Sequence, residues 1–168
     1  GGEALGKDIE ILRILYKLGL RSLGLTWNNR NYLADGLYEG ENAGGLSIKG
    51  REVIAEMNRL GILLDLSHIA VKGFYNALEY CQYPLMVSHA NARALCKHWR
   101  NLDDQQLKAI AYNGGVVGVN QVADFVKEDG NAQLDDLIDH IVYIAGLIGI
   151  EHVGLGSDFD GADHIVLP

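Results

Sequence analysis

The chain has 168 residues, 48% of them hydrophobic and 21% charged, which is enough for one domain with a buried core. Its formal charge of −8 comes from interspersed acidic and basic residues, and no basic patch is interleaved with aromatics, so nucleic acid is excluded as the expected partner. Two cysteines, Cys81 and Cys96, are too few for a disulfide framework; each is expected to be a small buried thiol in a reducing, intracellular (cytoplasmic) setting. No apolar run approaches the roughly 18 residues of a membrane span, and no basic-then-apolar leader is present. The chain opens at Gly1-Gly2 without a Met and stops at Pro168 just after a strand-like run, so it reads as a piece of a longer protein.

In chain order, residues 7 to 18 place Ile9, Leu12 and Tyr16 at helical spacing, and Gly19 is a stop signal. Leu20 to Thr26 reads as a strand, followed by a polar loop from Trp27 to Asn31. Ala34 to Gly45 is Gly- and acid-rich without periodicity, a loop longer than a minimal connector. Ser47 is a good N-cap for a helix whose apolar face is Val53, Ile54, Met57 and Leu60, and Gly61 closes it.

Residues 61 to 66 are a short apolar run that ends in Ser67-His68. A helix over 70–81 with Phe74, Ala77, Leu78 and Cys81 on one face leads to a second apolar run, Pro84 to Val87, which ends in Ser88-His89. Such runs suit buried strands, and the 21 residues between the two histidines leave room for one crossover helix. Further on, Asn91 to His98 is expected as a short helix, Asp103 to Tyr112 as another with Asn113-Gly114 as its exit, and Gly115 to Asn120 as a strand. The longest amphipathic helix covers 133–148 and stops at Gly149; His152 to Gly156 is the last strand, running into Ser157-Asp158-Phe159-Asp160-Gly161.

Five strands alternating with helices predict an α/β fold with a parallel sheet and right-handed crossovers. A doubly wound open sheet satisfies the alternation. A (β/α)₈ barrel is favoured because polar residues follow every strand (Asn28 to Asn31, His68, His89, Asn120, Asp158), and a barrel brings all its strand ends to one site whereas an open sheet needs such residues only at its switch point.

Neutral imidazole is the commonest protein metal ligand, so His68 and His89 on adjacent rigid strands are candidate ligands of one ion. Asp158 is a candidate ligand or general acid/base beside such an ion. Arg100, next to Asn101, is a candidate bidentate grip on a substrate carboxylate. His98, His140, His152 and His164 are expected to be structural or solvent-facing, and Asp160 a loop cap before Gly161. Asp65, inside an apolar strand, needs a partner, Arg59 or a backbone amide.

Several segments carry a resemblance: Gly1 to Leu5, Leu25 to Asn31, Glu56 to Gly61, Asp65 to His68, Val87 to Ala90, Arg100 to Leu102, Gly114 to Val119 and Gly156 to Gly161. In these, and in their order, the chain resembles the bacterial form of the membrane (renal) dipeptidase family of zinc peptidases. The resemblance implies an amidohydrolase-type (β/α)₈ TIM barrel, here about the carboxyl-terminal five βα units in a single partial domain over 1–168. It further implies two zinc ions (Zn2+) per complete site and hydrolysis of small dipeptides, some with a D-residue at the carboxyl end.

On that resemblance His68 and His89 bind the second zinc, Arg100 holds the dipeptide carboxylate, and Asp158 takes the proton of a hydroxide bridging the two zincs and passes it to the leaving amine. Three departures accompany it. The family's first-strand His-x-Asp pair has no counterpart in this sequence. The bridging glutamate falls one residue before Gly1, so Glu3 does not take that role. Trp27 stands where animal members carry a substrate-contacting His. The piece alone is therefore expected to be inactive, and adhesive or oligomeric through open strand edges, a homodimer being one such state.

Two rival readings differ in class. One is a phosphate-binding barrel isomerase or aldolase using Gly114-Gly115 and the Gly154/Gly156 strand, although no Lys at a strand end could form a Schiff base. The other is a degenerate, non-catalytic barrel subunit, which predicts loss of ligands, yet both Ser-His motifs and the Asp158 motif are intact.

Overall fold

Helix and strand boundaries follow from a few capping side chains. In the computed structural model, which describes residues 1–166, the chain divides into two compact units, Gly1–Leu85 and Met86–Pro168. The expected domain range and its terminal strand-like run include residues 167 and 168, which lie outside the described residues.

In the first unit Asp8 accepts the Glu10 N–H and opens α1 (Ile9–Lys17). Strand β1 (Ser22–Gly24) pairs in parallel with β2 (Leu63–Asp65), and α2 (Ile48–Leu60) is the crossover between them. Ser47 caps α2, its Oγ accepting the Gly50 N–H at 2.9 Å, and Gly61 ends it with φ 70°, a left-handed conformation that glycine adopts without Cβ strain. Helix α3 (Val71–Tyr80) follows β2 and turns Phe74 and Ala77 inward. Leu12, Ile54, Leu64, Phe74 and Ala77 are all buried and form this unit's core.

The second unit holds β3 (Met86–Val87), β4 (Val116–Val119) and β5 (Val153–Leu155), paired in parallel in the order β3-β4-β5. Helix α4 (Asp104–Tyr112) connects β3 to β4 and starts in a capping box in which the Asp103 side chain and Gln106 satisfy one another's backbone N–H groups. A short α5 (Ala123–Val126) and the long α6 (Leu134–Ile148) connect β4 to β5. Val87, Leu107, Ile110, Val117, Leu137 and Ile144 form the buried core here.

Several expectations change. Asn91 to His98 is not a helix but a series of turns. Arg93 N donates to the Leu102 carbonyl at 2.8 Å and Leu102 N to the Asn91 carbonyl at 2.9 Å, so strand-like pairing takes the groups a helix would need. The loop over 34–45 contains 3₁₀ turns from Leu37 to Asn42. His152 lies in a short 3₁₀ turn, not in β5, and its Nδ1 faces the Gly115 carbonyl at 2.7 Å. Cys96 is buried, but Cys81 is only half-buried, at the exposed end of α3. Among the described residues no helix is long and apolar enough to cross a membrane.

Candidate metal and acid-base site

Each Ser-His pair continues a short strand, so the imidazoles emerge at strand carboxyl ends, where parallel α/β folds place ligands. In the first unit, Asp65 at the end of β2 accepts the Ser67 N–H at 2.9 Å, which identifies the backbone amide, not Arg59, as its partner. Arg59 instead pairs with Glu56. His68 follows with φ 67°, a left-handed backbone uncommon for a non-glycine residue, though less so for His than for most. Its Nδ1 faces Asn28 Oδ1 at 2.8 Å. An amide oxygen only accepts, so Nδ1 carries the proton and Nε2 keeps the lone pair a metal would take. The Trp27 ring stands 6.1 Å from the imidazole, tilted by 46°, and is more than half exposed.

The second unit assembles the larger group. His89 follows β3 with its Nδ1 2.7 Å from Ser88 Oγ, and its Nε2 lies 4.0 Å from Asp158 Oδ2 beyond the end of β5. Two ligand atoms of one tetrahedral zinc, each about 2.1 Å from it, stand about 3.4 Å apart. At 4.0 Å the Asp158 oxygen stands slightly farther from His89 Nε2 than that, within ion-pair reach of it. Asp158 also has a left-handed backbone, φ 63°, and Asn120 Nδ2 donates to its Oδ2 at 3.1 Å.

Asn120 is fully buried, and its own amide and carbonyl are bonded by the side chain of Asn91, likewise fully buried. Asn120 Oδ1 accepts the Val122 N–H at 2.6 Å. The side chain that orients Asp158 is thus fixed from both its backbone and its amide oxygen. Arg100 is 4% exposed; its Nη2 donates to the His89 carbonyl at 3.3 Å and its guanidinium lies 5.7 Å from the centre of the Phe125 ring.

The remaining histidines of this unit have other roles. His140 is buried, accepts the Ala92 N–H at Nδ1 (3.1 Å) and donates from Nε2 to the Val126 carbonyl (2.9 Å), and its burial lowers its pKa. His98 stacks on Phe125 with centroids 4.5 Å apart, its pKa lowered first by burial and then by Arg100. His164 is exposed, as is Asp160.

The strand-end glycines serve packing. A Cβ on Gly118 or on Gly156 would overlap the Ser88 carbonyl oxygen, so these glycines let the ends of β3, β4 and β5 close up behind His89. Among the described residues no three His, Cys, Asp or Glu side chains form a complete metal cage. Taken one at a time, each imidazole has its Nδ1 engaged, His68 by Asn28 and His89 by Ser88, an arrangement of the kind in which zinc is met through Nε2.

Asn28, Asn91 and Asn120 are the contributors that reading the sequence assigned no task. Asn28 and Asn120 were visible only as polar residues after a strand, because their partners stand 40 and 38 residues further along the chain.

Parallel βα units with imidazoles and a carboxylate beyond their strands fit the metal-dependent hydrolases built on (β/α)₈ architecture, one of the classes that place their sites there. The family model described as membrane dipeptidase (peptidase family M19) matches residues 1–167, and the chain belongs to that family. A dipeptidase of Schizosaccharomyces pombe, itself described as uncharacterized, is 44% identical over 159 residues, covering 92% of this chain and 38% of its own length. The dipeptidase aclJ of Aspergillus oryzae is 40% identical over 167 residues, covering 98% of this chain and 40% of its own. A metallopeptidase from Rhodobacter sphaeroides, solved with a phosphinate mimic of the dipeptide L-Ala-D-Ala, superposes with a TM-score of 0.92 at 39% identity over 99% of this chain and 50% of that one. The chain therefore spans about 40% of the length of these curated relatives and half of the solved one.

Proposed function

We propose that the protein carrying this chain is a zinc-dependent dipeptidase that cleaves small dipeptides, including ones with a D-residue at the carboxyl end. The observation that carries the reading is the apposition of His89 Nε2 and Asp158 Oδ2 at 4.0 Å beyond β3 and β5 of a membrane-dipeptidase chain. The phosphinate mimic of L-Ala-D-Ala in the Rhodobacter relative supports the substrate class.

His68 and His89 would hold zinc through Nε2. Zinc, when bound, supplies an activated water and polarises the scissile carbonyl. His68 keeps its Nδ1 proton on Asn28 and so presents a fixed tautomer. Asp158, aimed by Asn120, accepts the proton released at the nucleophilic water and returns it to the nitrogen of the leaving amine. Arg100 draws the dipeptide carboxylate by charge from a largely water-excluded position beside the His89 carbonyl.

The test compares zinc content and dipeptide hydrolysis of the protein at its natural length with those of a His68→Ala, His89→Ala double variant. A fall from roughly two zincs to about one or fewer, with hydrolysis abolished, is expected. Equal metal content in the two proteins would refute the assignment.

A further inference from the structure

The loop between β1 and α2 makes a set of contacts that the proposed chemistry does not use. Its residues 35–38 are bonded to both members of the Asn28–His68 pair. Leu37 N donates to the His68 carbonyl at 3.0 Å, and Tyr38 N donates to the Asn28 carbonyl at 2.9 Å. Next along, Gly36 bridges Ile69 in antiparallel fashion, and the Asp35 carbonyl accepts the Ala70 N–H at 3.0 Å. Four successive residues of the loop thus grip the backbone from His68 to Ala70 and the carbonyl of Asn28, the partner of the imidazole. This matters because His68 holds a left-handed backbone, a conformation that persists only when its surroundings over-determine it.

The loop itself is anchored by one buried carboxylate. Asp35 is 6% exposed and accepts a two-pronged contact from Arg30, Nε to Oδ1 at 2.6 Å and Nη2 to Oδ2 at 2.9 Å. The same Oδ2 accepts the Gly44 N–H, and Asp35 N donates to the Gly45 carbonyl at 3.3 Å, so Asp35 ties the far end of the loop to its start. Arg30 also reaches Glu39 within the loop at 3.3 Å. Gly36 lies so close to Asn28 that a Cβ there would overlap its carbonyl group and the Trp27 carbonyl oxygen.

We infer that Asp35, held by Arg30, is a positioning residue for His68, acting through the Gly36–Tyr38 backbone that clamps His68 and Asn28. The inference rests on the reading of His68 as a metal ligand. It makes a residue pair outside the proposed ligand set a determinant of metal affinity. The physical reason is that imidazole orientation sets how well Nε2 meets a metal, and partners outside the ligand set govern that orientation.

The test uses the protein at its natural length and measures zinc affinity by chelator competition. The visible spectrum of the cobalt-substituted protein reports ligand geometry, and circular dichroism reports folding. Asp35→Asn is expected to weaken metal affinity about 10- to 100-fold and to change the cobalt spectrum. Gly36→Ala should do the same although it removes no charge, because it pushes the clamp off Asn28. Arg30→Gln, at a half-exposed side chain that folding tolerates, should give a smaller loss in the same direction, and it decides the matter should Asp35→Asn fail to fold. Lys127→Gln, which removes an ion pair to Asp136 in the second unit, should leave affinity and spectrum unchanged.

Affinity within about twofold of the parent and an unaltered spectrum in Arg30→Gln and Gly36→Ala, while His68→Ala loses metal, would overturn the positioning role and leave the metal-site reading standing. Metal binding undiminished in His68→Ala would overturn both.

Discussion

Replacing Gly156 by alanine puts a methyl group where the Ser88 carbonyl already lies. The new Cβ would also stand 3.0 Å from both Cα and the carbonyl carbon of Gly118, so backbone and not a flexible side chain blocks it. Relief needs a retreat of Ser88 on the order of 1 Å, given that carbon atoms in contact prefer separations of about 3.5–4.0 Å. Ser88 is not free to retreat, because the Ala90 N–H is bonded to the Gly118 carbonyl at 2.9 Å, just past it. Overpacking of this kind costs about 1–3 kcal/mol and a lost backbone hydrogen bond about 1 more, so the variant should lose about 2–4 kcal/mol. With a urea m-value of about 2 kcal/mol/M the midpoint should fall by about 1–2 M.

The control is two residues away. A Cβ on Gly154 meets only Val116 Cγ1 at 3.5 Å and the Val117 carbonyl oxygen at 3.9 Å, ordinary contacts, so Gly154→Ala should be neutral or stabilising by about 0.5 kcal/mol through the unfolded chain. Because Ser88 precedes His89, Gly156→Ala should also weaken metal binding while Gly154→Ala does not. Equal urea midpoints for the two variants would refute the close-packing account of the strand-end glycines.

Three further perturbations test separate parts of the structure. Asn120→Leu should lower kcat about 10- to 100-fold with zinc content unchanged, because it frees Asp158 to turn without touching a histidine; steady-state kinetics beside metal analysis decide it, and an unchanged kcat counts against Asn120 as the aiming group. Glu56, almost buried between Arg59 and Arg13, has its pKa lowered to about 2, first by the Arg59 hydrogen bond and then by that of Arg13. Its carboxylate is bound more favourably in the folded state, so its contribution, on the order of 1 kcal/mol because both arginines are solvent-exposed, is present above about pH 4.5 and fades as pH falls toward 2. The Tm gap between the parent and Glu56→Gln should therefore narrow over that range, and a gap constant down to pH 2.5 would disprove the linkage. Ser47→Ala removes the cap on α2 and should cost about 1 kcal/mol, roughly 2–4 °C in Tm by calorimetry; no shift would mean the cap is dispensable.

Much of the architecture is written locally. The βα alternation follows from short apolar runs and helical periodicity, and the ends of α2 and α6 follow from Ser47, Gly61 and Gly149, because caps and stops act within one turn. The same local logic puts His68, His89 and Asp158 just beyond β2, β3 and β5. It fails where distant backbone competes: Asn91 to His98 has helix-forming residues, but Leu102 claims its N–H and carbonyl groups.

The chemistry-bearing residue types and their place after strands were decided by the sequence alone, since strand length and turn residues set where each side chain emerges. Only the tertiary structure decided what each one faces. Asn28 fixes the His68 tautomer, Asn120 aims Asp158, Arg100 lodges against the His89 carbonyl, and the Asp35 clamp holds the left-handed His68 backbone. The contacts of Asn28 with His68, Asn120 with Asp158 and Arg100 with His89 join residues 11 to 40 positions apart, where no periodicity reaches and only the folded backbone sets the distance.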